Sequence, residues 1–492
     1  MAKHGFSPLF DVGEQFKETW LGGKVGFNPF DLTDILYWWG EWGVSRGLIL
    51  WIFYIGLYWI LSLQIPNLGL FTVEWLVGTA PVWLPLGLSY AAVTCWVWYI
   101  QAFYLAGRDP VLLEVKIPRD IFKSPRAMEL ALIPMNLSSG ETTFINRGWQ
   151  GGVRPFWSFE LASFGGDVHF YIWTWKGFRE LVESSIYAYY PEVELVEVED
   201  YAMKFRFDPS IHDCYVTEWR RECFWQSSLN GKWELNAYPI PTYVDFELDK
   251  DPKEEFKVDP LAEPLEFMSS LRPEDEMWAQ IVIREAGRPS THVFFAANDR
   301  SKWIDTMRKE VGKVRIKSAT FSQEELTMIE EGLIPAEAKM AARPRGTWKQ
   351  TRLIENMERN LGKYAYEVGI RGWIVSTKEV SSHYYNGMRF MWRPMGNPNY
   401  STWLRPRRWH PPFDYPWQDF KNIRWNVAAR RFLDAYRRRL FFHSPWRTYE
   451  SPMILTNEEI ATLWHPVSRA VAIPGLERIP AKKAEPPSNL PK

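Results

Sequence analysis

Four Gly-Lys pairs are the part of this 492-residue sequence that comes closest to a nucleotide-binding loop. They lie at residues 23–24, 231–232, 312–313 and 362–363. Such a loop needs Gly-x-x-x-x-Gly-Lys-Ser/Thr, because its backbone N–H groups cradle the phosphates while Lys and Ser/Thr hold the terminal phosphate and Mg²⁺. None of these lysines is followed by Ser or Thr, and none is preceded by the first glycine of the motif. The sequence therefore predicts no ATPase.

Metal-binding and nucleophile motifs are missing as well. The eight histidines are scattered without a His-Glu-x-x-His pair, and there is no Gly-x-Ser-x-Gly elbow. His212, Cys214 and Cys223 form the one compact group of soft ligands. Structural zinc usually takes cysteine pairs about two to four residues apart plus a fourth ligand, so two reduced thiols beside a surface histidine is the favoured interpretation. We expect no metal, no cofactor and no enzymatic activity.

The stretch Trp403–Arg447 interleaves positive charge with aromatic rings. It holds ten Arg and one Lys against three Asp, with twelve aromatic residues. Arginine neutralises phosphates and aromatic faces stack on unpaired bases, which predicts contact with nucleic acid or with anionic lipid. The predicted contact residues are Arg405, Arg407, Arg408, Arg430, Arg431, Arg437, Arg438 and Arg439, with Trp403, Trp409 and Trp417 for stacking. The alternatives are a protein partner or a structural role, in which the arginines satisfy helix carbonyls and acidic side chains.

The composition excludes several classes of protein. Lys+Arg 58 against Asp+Glu 59 gives a net charge of -1, which argues against a dedicated nucleic-acid binder. A hydrophobic content of 46% excludes a disordered or fibrous chain, and three cysteines exclude a disulfide-stapled scaffold. At about 100–200 residues per domain, the length predicts two to four folded units.

Two long runs near the N-terminus contain no charged residue. They extend from Gly47 to Val73 and from Trp75 to Gly107, with Glu74 between them. A bilayer core of about 30 Å needs about 20 apolar residues in a helix, so we predict a transmembrane hairpin with spans at 47–65 and 82–104. Basic residues flank the pair and are missing from the connection, which predicts that both termini lie in the cytoplasm. A buried helical hairpin is the alternative.

Strand and helix patterns beyond the hairpin predict an α+β fold. Alternating residues at 157–163 and 168–173 flank Gly165-Gly166, which indicates a β-hairpin. A helix to Tyr189 and a strand at 193–198 follow, whereas 201–260 looks irregular. Strands are also predicted at 277–284 and 364–376, and helices at 353–361 and 425–440. We predict two α+β sandwich units, ferredoxin-like or related.

The predicted organisation has five parts. They are an amphipathic cytoplasmic segment (1–46), the transmembrane hairpin (47–107), a first α+β domain (108–250), a second α+β domain with the basic and aromatic stretch (251–450), and a short helix with a Pro-rich tail (451–492).

Several stretches resemble a family of bacterial membrane-anchored proteins related to conjugative-transfer (type IV secretion) ATPases. They include LLEVKIPRDIFKSPRAMELAL, RPFWSFELASFGGDVHFYIWTWKGFRELVESSIYAYYPEVELVEVEDY, VDPLAEPLEFMSSLRPEDEMWAQIVIR, YEVGIRGWIV and ILTNEEIATLWHPV. The resemblance covers residues 111–270 well and 271–492 in patches, and it is to the segment that precedes the motor domain. It implies an adaptor that works with a HerA/FtsK-type hexameric motor, and this chain lacks that motor's phosphate loop.

These observations predict a non-enzymatic, membrane-anchored adaptor or scaffold in a type IV secretion-like or conjugative-transfer machinery. Its expected partners are the lipid bilayer, a separately encoded hexameric ATPase or secretion-machinery protein, and further copies of the chain. The alternative is a membrane-tethered single-stranded nucleic-acid-binding protein that uses residues 403–447. A third possibility is an enzyme whose catalytic residues converge only in the fold.

Overall fold

The computed structural model describes most of the chain. The described residues are 46–119, 121–141, 143–224, 229–250, 258–286, 302–318, 348–398, 401–407, 417–443, 446 and 452–480. They form two compact units: one holds the described residues up to Trp96 together with 417–431, and the other holds the rest. The predicted contact residues Arg408 and Trp409 lie outside the described residues.

Two apolar helices open the described part of the chain. Helix α1 covers Arg46–Gln64 and helix α2 covers Leu68–Ala106. Among the described helices, α2 is the one long and apolar enough to cross a membrane, and none of its most apolar window is buried. A hydrogen bond of 3.0 Å between Tyr58 Oη and Thr72 Oγ1 joins the two helices.

The start of α2 differs from the prediction. The sequence predicts a connection at 66–81 before a span at 82–104, whereas α2 begins at Leu68 and contains Pro81 and Pro85. Each proline lacks a backbone N–H, so the carbonyl four residues earlier, that of Val77 or Pro81, loses its helical donor. Apolar helices tolerate such prolines where other groups satisfy the freed carbonyls.

One antiparallel sheet dominates the second unit. Its strands are β1 Pro110–Lys116, β2 Phe156–Phe164, β3 Asp167–Trp175, β4 Glu194–Val198, β5 Asp213–Glu222, β6 Asp275–Glu285, β7 Ala365–Ser376, β8 Trp403–Arg407 and β9 Met453–Thr456. The strand order is β4-β1-β3-β2-β6-β7-β5-β8, and β9 pairs with the first residues of β7. The protein is therefore mixed helix and sheet.

Strands from both sides of residue 250, the expected domain boundary, lie in this one sheet. β2 and β6 are antiparallel neighbours, from Phe156 opposite Arg284 to Phe164 opposite Glu276. The boundary consequently falls in a connection between strands and does not separate two sheets.

Helices cover one face of the sheet. The helices that follow α2 are α3 Arg126–Leu132, α4 Phe144–Gly148, α5 Arg179–Tyr189, α6 Tyr201–Lys204, α7 Ala262–Ser269, α8 Lys302–Ser318, α9 Trp348–Leu361, α10 Ser382–Phe390, α11 Ile423–Arg437 and α12 Asn457–Leu463. Helices α3, α5, α7, α10 and α12 share one apolar core with alternate strand residues. In that core the Trp464 ring lies 5.0 Å from Phe159 and 5.7 Å from Phe170. We call this the helical face.

A single segment covers much of the opposite face. It is Phe432–His443, the second half of α11 and the residues after it, which we call the strap; the face is the strap face. Phe432 stacks 6.3 Å from Trp373 of β7, and Phe441 packs over Gly369. A Cβ at Gly369 would lie 2.2 Å from the Phe441 ring, so the glycine makes room for the strap.

Several predicted elements are confirmed, and one region is wrong. The β-hairpin appears as β2 and β3, with Gly165 and Gly166 in the turn at φ 64° and 100°. The region predicted to be irregular contains β5, an interior strand paired with both β7 and β8. Charged residues along β5 hide its alternation, and two of the buried ones form ion pairs: Arg221 with Glu459 at 2.5 Å and Glu222 with Arg405 at 2.6 Å.

Candidate functional site

The end of α2 is joined directly to the sheet. Three residues, Gly107 to Asp109, separate α2 from β1. The last turns of α2 pack on the loop after α4, where Gly151 has φ +65° and lies so close to the Ile100 carbonyl that a Cβ would be 2.3 Å from its oxygen. Phe103 and Tyr99 on the same turns are 73% and 65% exposed. Exposed aromatic rings at the end of an apolar helix are typical of a membrane interface.

A small open cavity of about 260 Å³ lies where α2 meets the sheet. It is lined by Gly107, Arg108, Asp109, Trp175, Lys176, Gly177 and Phe178. The Arg108 guanidinium bonds to the Tyr104 hydroxyl and lies 5.6 Å from the Trp175 ring centre. Two cations beside aromatic rings suit the level of lipid headgroups, where aromatic and basic side chains concentrate.

The first part of the basic stretch is neutralised within the protein. Arg405 and Arg407 project from β8 and both bond to Glu222 of β5, at 2.6 and 2.9 Å. Trp403 is buried and stacks on Phe224, with ring centres 4.6 Å apart. Arg405 and Arg407 therefore share one carboxylate, which Arg220 also approaches at 3.5 Å.

Arg439 is the most deeply placed of the predicted contact residues. Its side chain is completely buried and bonds to Glu160 of β2 at 2.9 Å and to Asp200 at 3.0 Å. Burial alone would lower the pKa of Arg439, but these two carboxylates raise it well above its usual value. Burial would likewise raise the pKa of Glu160, and Arg439 reverses this and lowers it. Both groups are thus charged, and they bind each other across the strap face.

Other polar groups complete this buried network. The Tyr201 hydroxyl donates to Glu160 at 2.7 Å, and Gln280 Nε2 donates to the same carboxylate at 2.9 Å. Burial lowers the pKa of Arg371 to about 10, and its guanidinium donates to the Leu440 carbonyl at 2.9 Å. With its oxygens accepting several hydrogen bonds, Glu160 is held as an anion and is unsuited to proton transfer.

Arg437 and Arg438 also bond within the strap or to its neighbours. Arg437 Nε donates to the Ala202 carbonyl at 2.9 Å, which ties the strap to α6. Arg438 is exposed, pairs with Asp434 at 2.9 Å and lies 5.1 Å from the Trp446 ring centre. Arg438 remains accessible at the surface, whereas Arg437 serves the fold.

The remaining predicted residues lie in the first unit and are exposed. Arg430 and Arg431 face solvent on α11. Trp417 is 66% exposed, and three further apolar side chains continue this exposed surface along the chain: Phe420, Ile423 and Val427. The structure thus divides the basic stretch into a part built into the sheet and a part at the surface. The predicted contact with nucleic acid or lipid stays a prediction.

A second ionic network on the helical side was not predicted. Lys363 pairs with Glu129 at 2.5 Å and with Glu458 at 3.3 Å, and Arg359 reaches Glu458 at 2.9 Å. The sequence signal that leads to it is the capping box of α12, in which Thr456 accepts from the Glu459 N–H and Glu459 accepts from the Thr456 N–H. Its carboxylates are occupied by cations, which indicates a structural role.

The soft-ligand group does not form a metal site in the described part of the chain. Cys214 and Cys223 are buried, and His212 Nδ1 accepts a hydrogen bond from the Asp208 N–H at 3.1 Å. No group of three or more His, Cys, Asp or Glu side chains among the described residues is arranged to hold a metal ion.

Comparison with known proteins gives no relative. No protein-family model matches the chain, and no curated protein matches it either. The resemblance to the segment before the motor of transfer ATPases therefore rests on the sequence stretches alone.

Proposed function

We propose that this protein is a non-enzymatic membrane-anchored adaptor that docks a separately encoded ATPase in a type IV secretion-like or conjugative-transfer machinery. The observation that carries the proposal is α2: it has 39 residues, its one charged residue is Glu74, and it leads into β1 through three residues. An apolar helix left uncovered in water would be costly, whereas a bilayer removes that cost.

The length of α2 fits one crossing with residues to spare. At 1.5 Å per residue it is about 58 Å long, against about 30 Å for the bilayer core. If the aromatic side chains near its end mark the cytoplasmic interface, the core holds about 20 residues before Trp98 and leaves Glu74 beyond the opposite interface. Helix α1 would then cross back, which forms the proposed hairpin with both termini in the cytoplasm of a bacterial inner membrane.

The strand order supports two ferredoxin-like units in tandem. The first four strands, with α3 and α5 between them, follow β-α-β-β-α-β and lie in the order β4-β1-β3-β2. Strands β5 to β8 repeat that order from the other edge, as β8-β5-β7-β6, so β2 and β6 meet at the centre. On this proposal the two units form one platform that presents the partner-binding surfaces of the adaptor.

Membrane extraction tests the anchor. We expect the full-length protein to stay in vesicles during an alkaline carbonate wash. Replacing Leu86 and Leu88, both exposed on α2, by Arg adds about 2.5–3.5 kcal/mol per residue to insertion and should release the protein. Leu86→Ile with Leu88→Ile is the matched control. Release of the unmodified protein would contradict the anchor.

Co-purification tests the adaptor role. The full chain extracted in mild detergent from its native cells should carry an ATPase that lacks membrane spans of its own, identified by mass spectrometry. Recovery of the free chain alone, or ATP hydrolysis by the purified chain, would contradict the proposal.

A second candidate is a membrane-tethered single-stranded nucleic-acid binder. The exposure of Arg430, Arg431, Arg438 and Trp417 favours it. Binding of an oligonucleotide should then weaken steeply with salt, with a slope that falls by about 0.7 for each phosphate contact removed from a single strand. A flat slope, or no change in the triple Ala variant of these arginines, would exclude it.

A further inference from the structure

Four large apolar side chains are exposed between residues 417 and 427. Trp417, Phe420, Ile423 and Val427 are 66%, 72%, 57% and 60% exposed. Ile423 and Val427 are four residues apart and share one side of α11, and Trp417 and Phe420 lie in the residues just before this helix. We call these four residues the apolar stripe. Four large apolar side chains exposed in a row are unusual for a surface that contacts only water.

Helix α11 has buried apolar residues in its second half and exposed apolar residues in its first half. In its second half, Phe432 and Tyr436 face the sheet and are buried. Ile423 and Val427 lie on the opposite side of the helix, where Arg430 and Arg431 continue the same surface. The exposed side of α11 that carries Ile423 and Val427 is therefore opposite the side that carries its buried residues.

The charge beside the stripe is positive. Residues 417–431 contain Lys421, Arg424, Arg430 and Arg431 against Asp419 alone. Asp419 is used locally, because its carboxylate accepts from the Arg424 and Trp425 N–H groups at 2.8 Å each and so starts the helix. Apolar side chains flanked by Lys and Arg are the pattern of a helix that lies in the plane of an anionic membrane surface.

The position of the stripe in the fold agrees with this pattern. Residues 417–431 belong to the same compact unit as α1 and the part of α2 up to Trp96, whereas the strap belongs to the other. We propose that the apolar stripe is a second membrane contact: the stripe residues insert into the headgroup region of an anionic bilayer, and the flanking Lys and Arg bind lipid phosphates. This inference rests on the proposed membrane anchor and adds a lipid-specific surface to it.

A fluorescent probe on the stripe tests the inference. The full chain with Cys95→Ala leaves the buried Cys214 and Cys223 as the native thiols in the described part, and Val427→Cys then adds an exposed one. It is labelled with an environment-sensitive dye and reconstituted into vesicles of phosphatidylcholine with or without phosphatidylglycerol. We expect the emission to shift to the blue, and more strongly with the anionic lipid. The same dye at Lys232→Cys, an exposed loop position, is the control and should report water throughout.

Charge reversal separates lipid binding from simple burial. Arg430→Glu with Arg431→Glu in the labelled protein should remove the part of the blue shift that depends on anionic lipid, and so should high salt. Both residues are exposed, so the fold should tolerate the change. A dye at position 427 that reports water in every vesicle would overturn the inference.

Other outcomes would assign the stripe to another partner. A blue shift in detergent that lipid composition does not alter would mean that another part of this chain covers the stripe. A shift caused by a single-stranded oligonucleotide in detergent would favour nucleic acid instead. Carbonate extraction of the same vesicles keeps the two proposals apart, because a protein that remains anchored while its probe reports water contradicts the stripe contact and not the anchor.

Discussion

The two faces of the sheet are closed by different chemistry. The helical face meets five helices through side chains such as Trp464, Met388 and Ile370, all fully buried and apolar. The strap face meets the strap and the residues around α6 through aromatic rings and an ionic network centred on Glu160 and Arg439. Apolar packing contributes free energy with little directional preference, whereas a buried ion pair is costly unless its partners meet in one geometry.

This difference suggests that the two faces have different roles, which we call the division of labour. The helical face supplies most of the stability, and the ionic network fixes the position of the strap on the sheet. A strap held only by rings could shift along the sheet, but displacing Arg439 by one residue would leave Glu160 buried without its counter-ion. The following predictions test this comparison, from the largest expected effect to the smallest.

The largest effect is expected on the helical face. Trp464→Ala should lower the free energy of unfolding by about 3–5 kcal/mol, because it leaves a cavity beside Phe159 and Phe170. Denaturant unfolding of the full chain in detergent, followed by circular dichroism, measures it. A second substitution that shortens a side chain in the same core, such as Ile370→Val, should lower the free energy of unfolding further, by about 0.5–1.5 kcal/mol, and should not compensate for the first.

The strap face should respond differently to paired changes. Arg439→Met should cost about 3–5 kcal/mol because it leaves the Glu160 carboxylate buried without its cation. Adding Glu160→Met should recover much of this loss, since it removes the fully buried charge and leaves only Asp200, whose side chain is partly exposed. If the double variant is as unstable as the single one, the network contributes to stability directly and the division of labour is wrong. Partial protease digestion between α11 and β9 would show whether the strap loosens.

A pH effect is expected at the end of the strap. Burial, with the neighbouring Arg284 and Arg154 outweighing Glu141, lowers the pKa of His443 from 6.5 to about 3. Above pH 6.5 His443 is neutral in both states and contributes nothing to the pH dependence. Below pH 6.5 His443 is protonated in the unfolded chain but stays neutral in the folded chain. The free energy of unfolding therefore falls as the pH falls from about 6.5 towards 3.

The window between pH 6.5 and 4.5 is the one to measure, because carboxyl groups with ordinary pKa values titrate mainly below it, and comparison with a His443 variant separates this residue from the other histidines. There the loss should reach about 2–3 kcal/mol, at 1.36 kcal/mol per pH unit. His443→Gln, which does not titrate, should flatten the unfolding free energy across that window. An unchanged slope in this variant would assign the pH dependence to other groups.

The smallest effect is expected at the edge of the sheet. Arg405 is half-exposed and shares Glu222 with Arg407, so Arg405→Ala should change the free energy of unfolding by about 0–1 kcal/mol, and less in high salt. Glu222→Gln is the informative companion, because it removes the charge partner of both arginines and should cost more. Equal effects of the two changes would mean that the shared pairing is unimportant.

The sequence predicts those parts of the molecule whose signals are local. Gly165 and Gly166 mark the turn between β2 and β3, and Pro191 marks the end of α5, because turn and helix-end preferences depend on a few neighbouring residues. The apolar character of α1 and α2 is equally local, although the prolines in this region led to a wrong prediction of where α2 begins. The α+β class follows from these elements.

What the sequence does not predict depends on distant partners. Glu160 and Asp200 are separated from Arg439 by 279 and 239 residues, and no local pattern distinguishes this buried arginine from exposed Arg438 next to it. The same reason hides β5, whose charged side chains look like those of a loop until their partners on β8 and α12 are known. Which half of α11 is exposed and which is buried likewise depends on its packing in the fold, so the sequence alone does not predict it.

The direct junction between α2 and β1 has a mechanical consequence. β1 is an interior strand, bonded to β3 on one side and β4 on the other. Tension between the sheet and α2 would therefore be carried by two ladders of backbone hydrogen bonds at once. An edge strand that is pulled can separate from its single neighbour one hydrogen bond at a time. β1 can leave the sheet only if its hydrogen bonds to both β3 and β4 break.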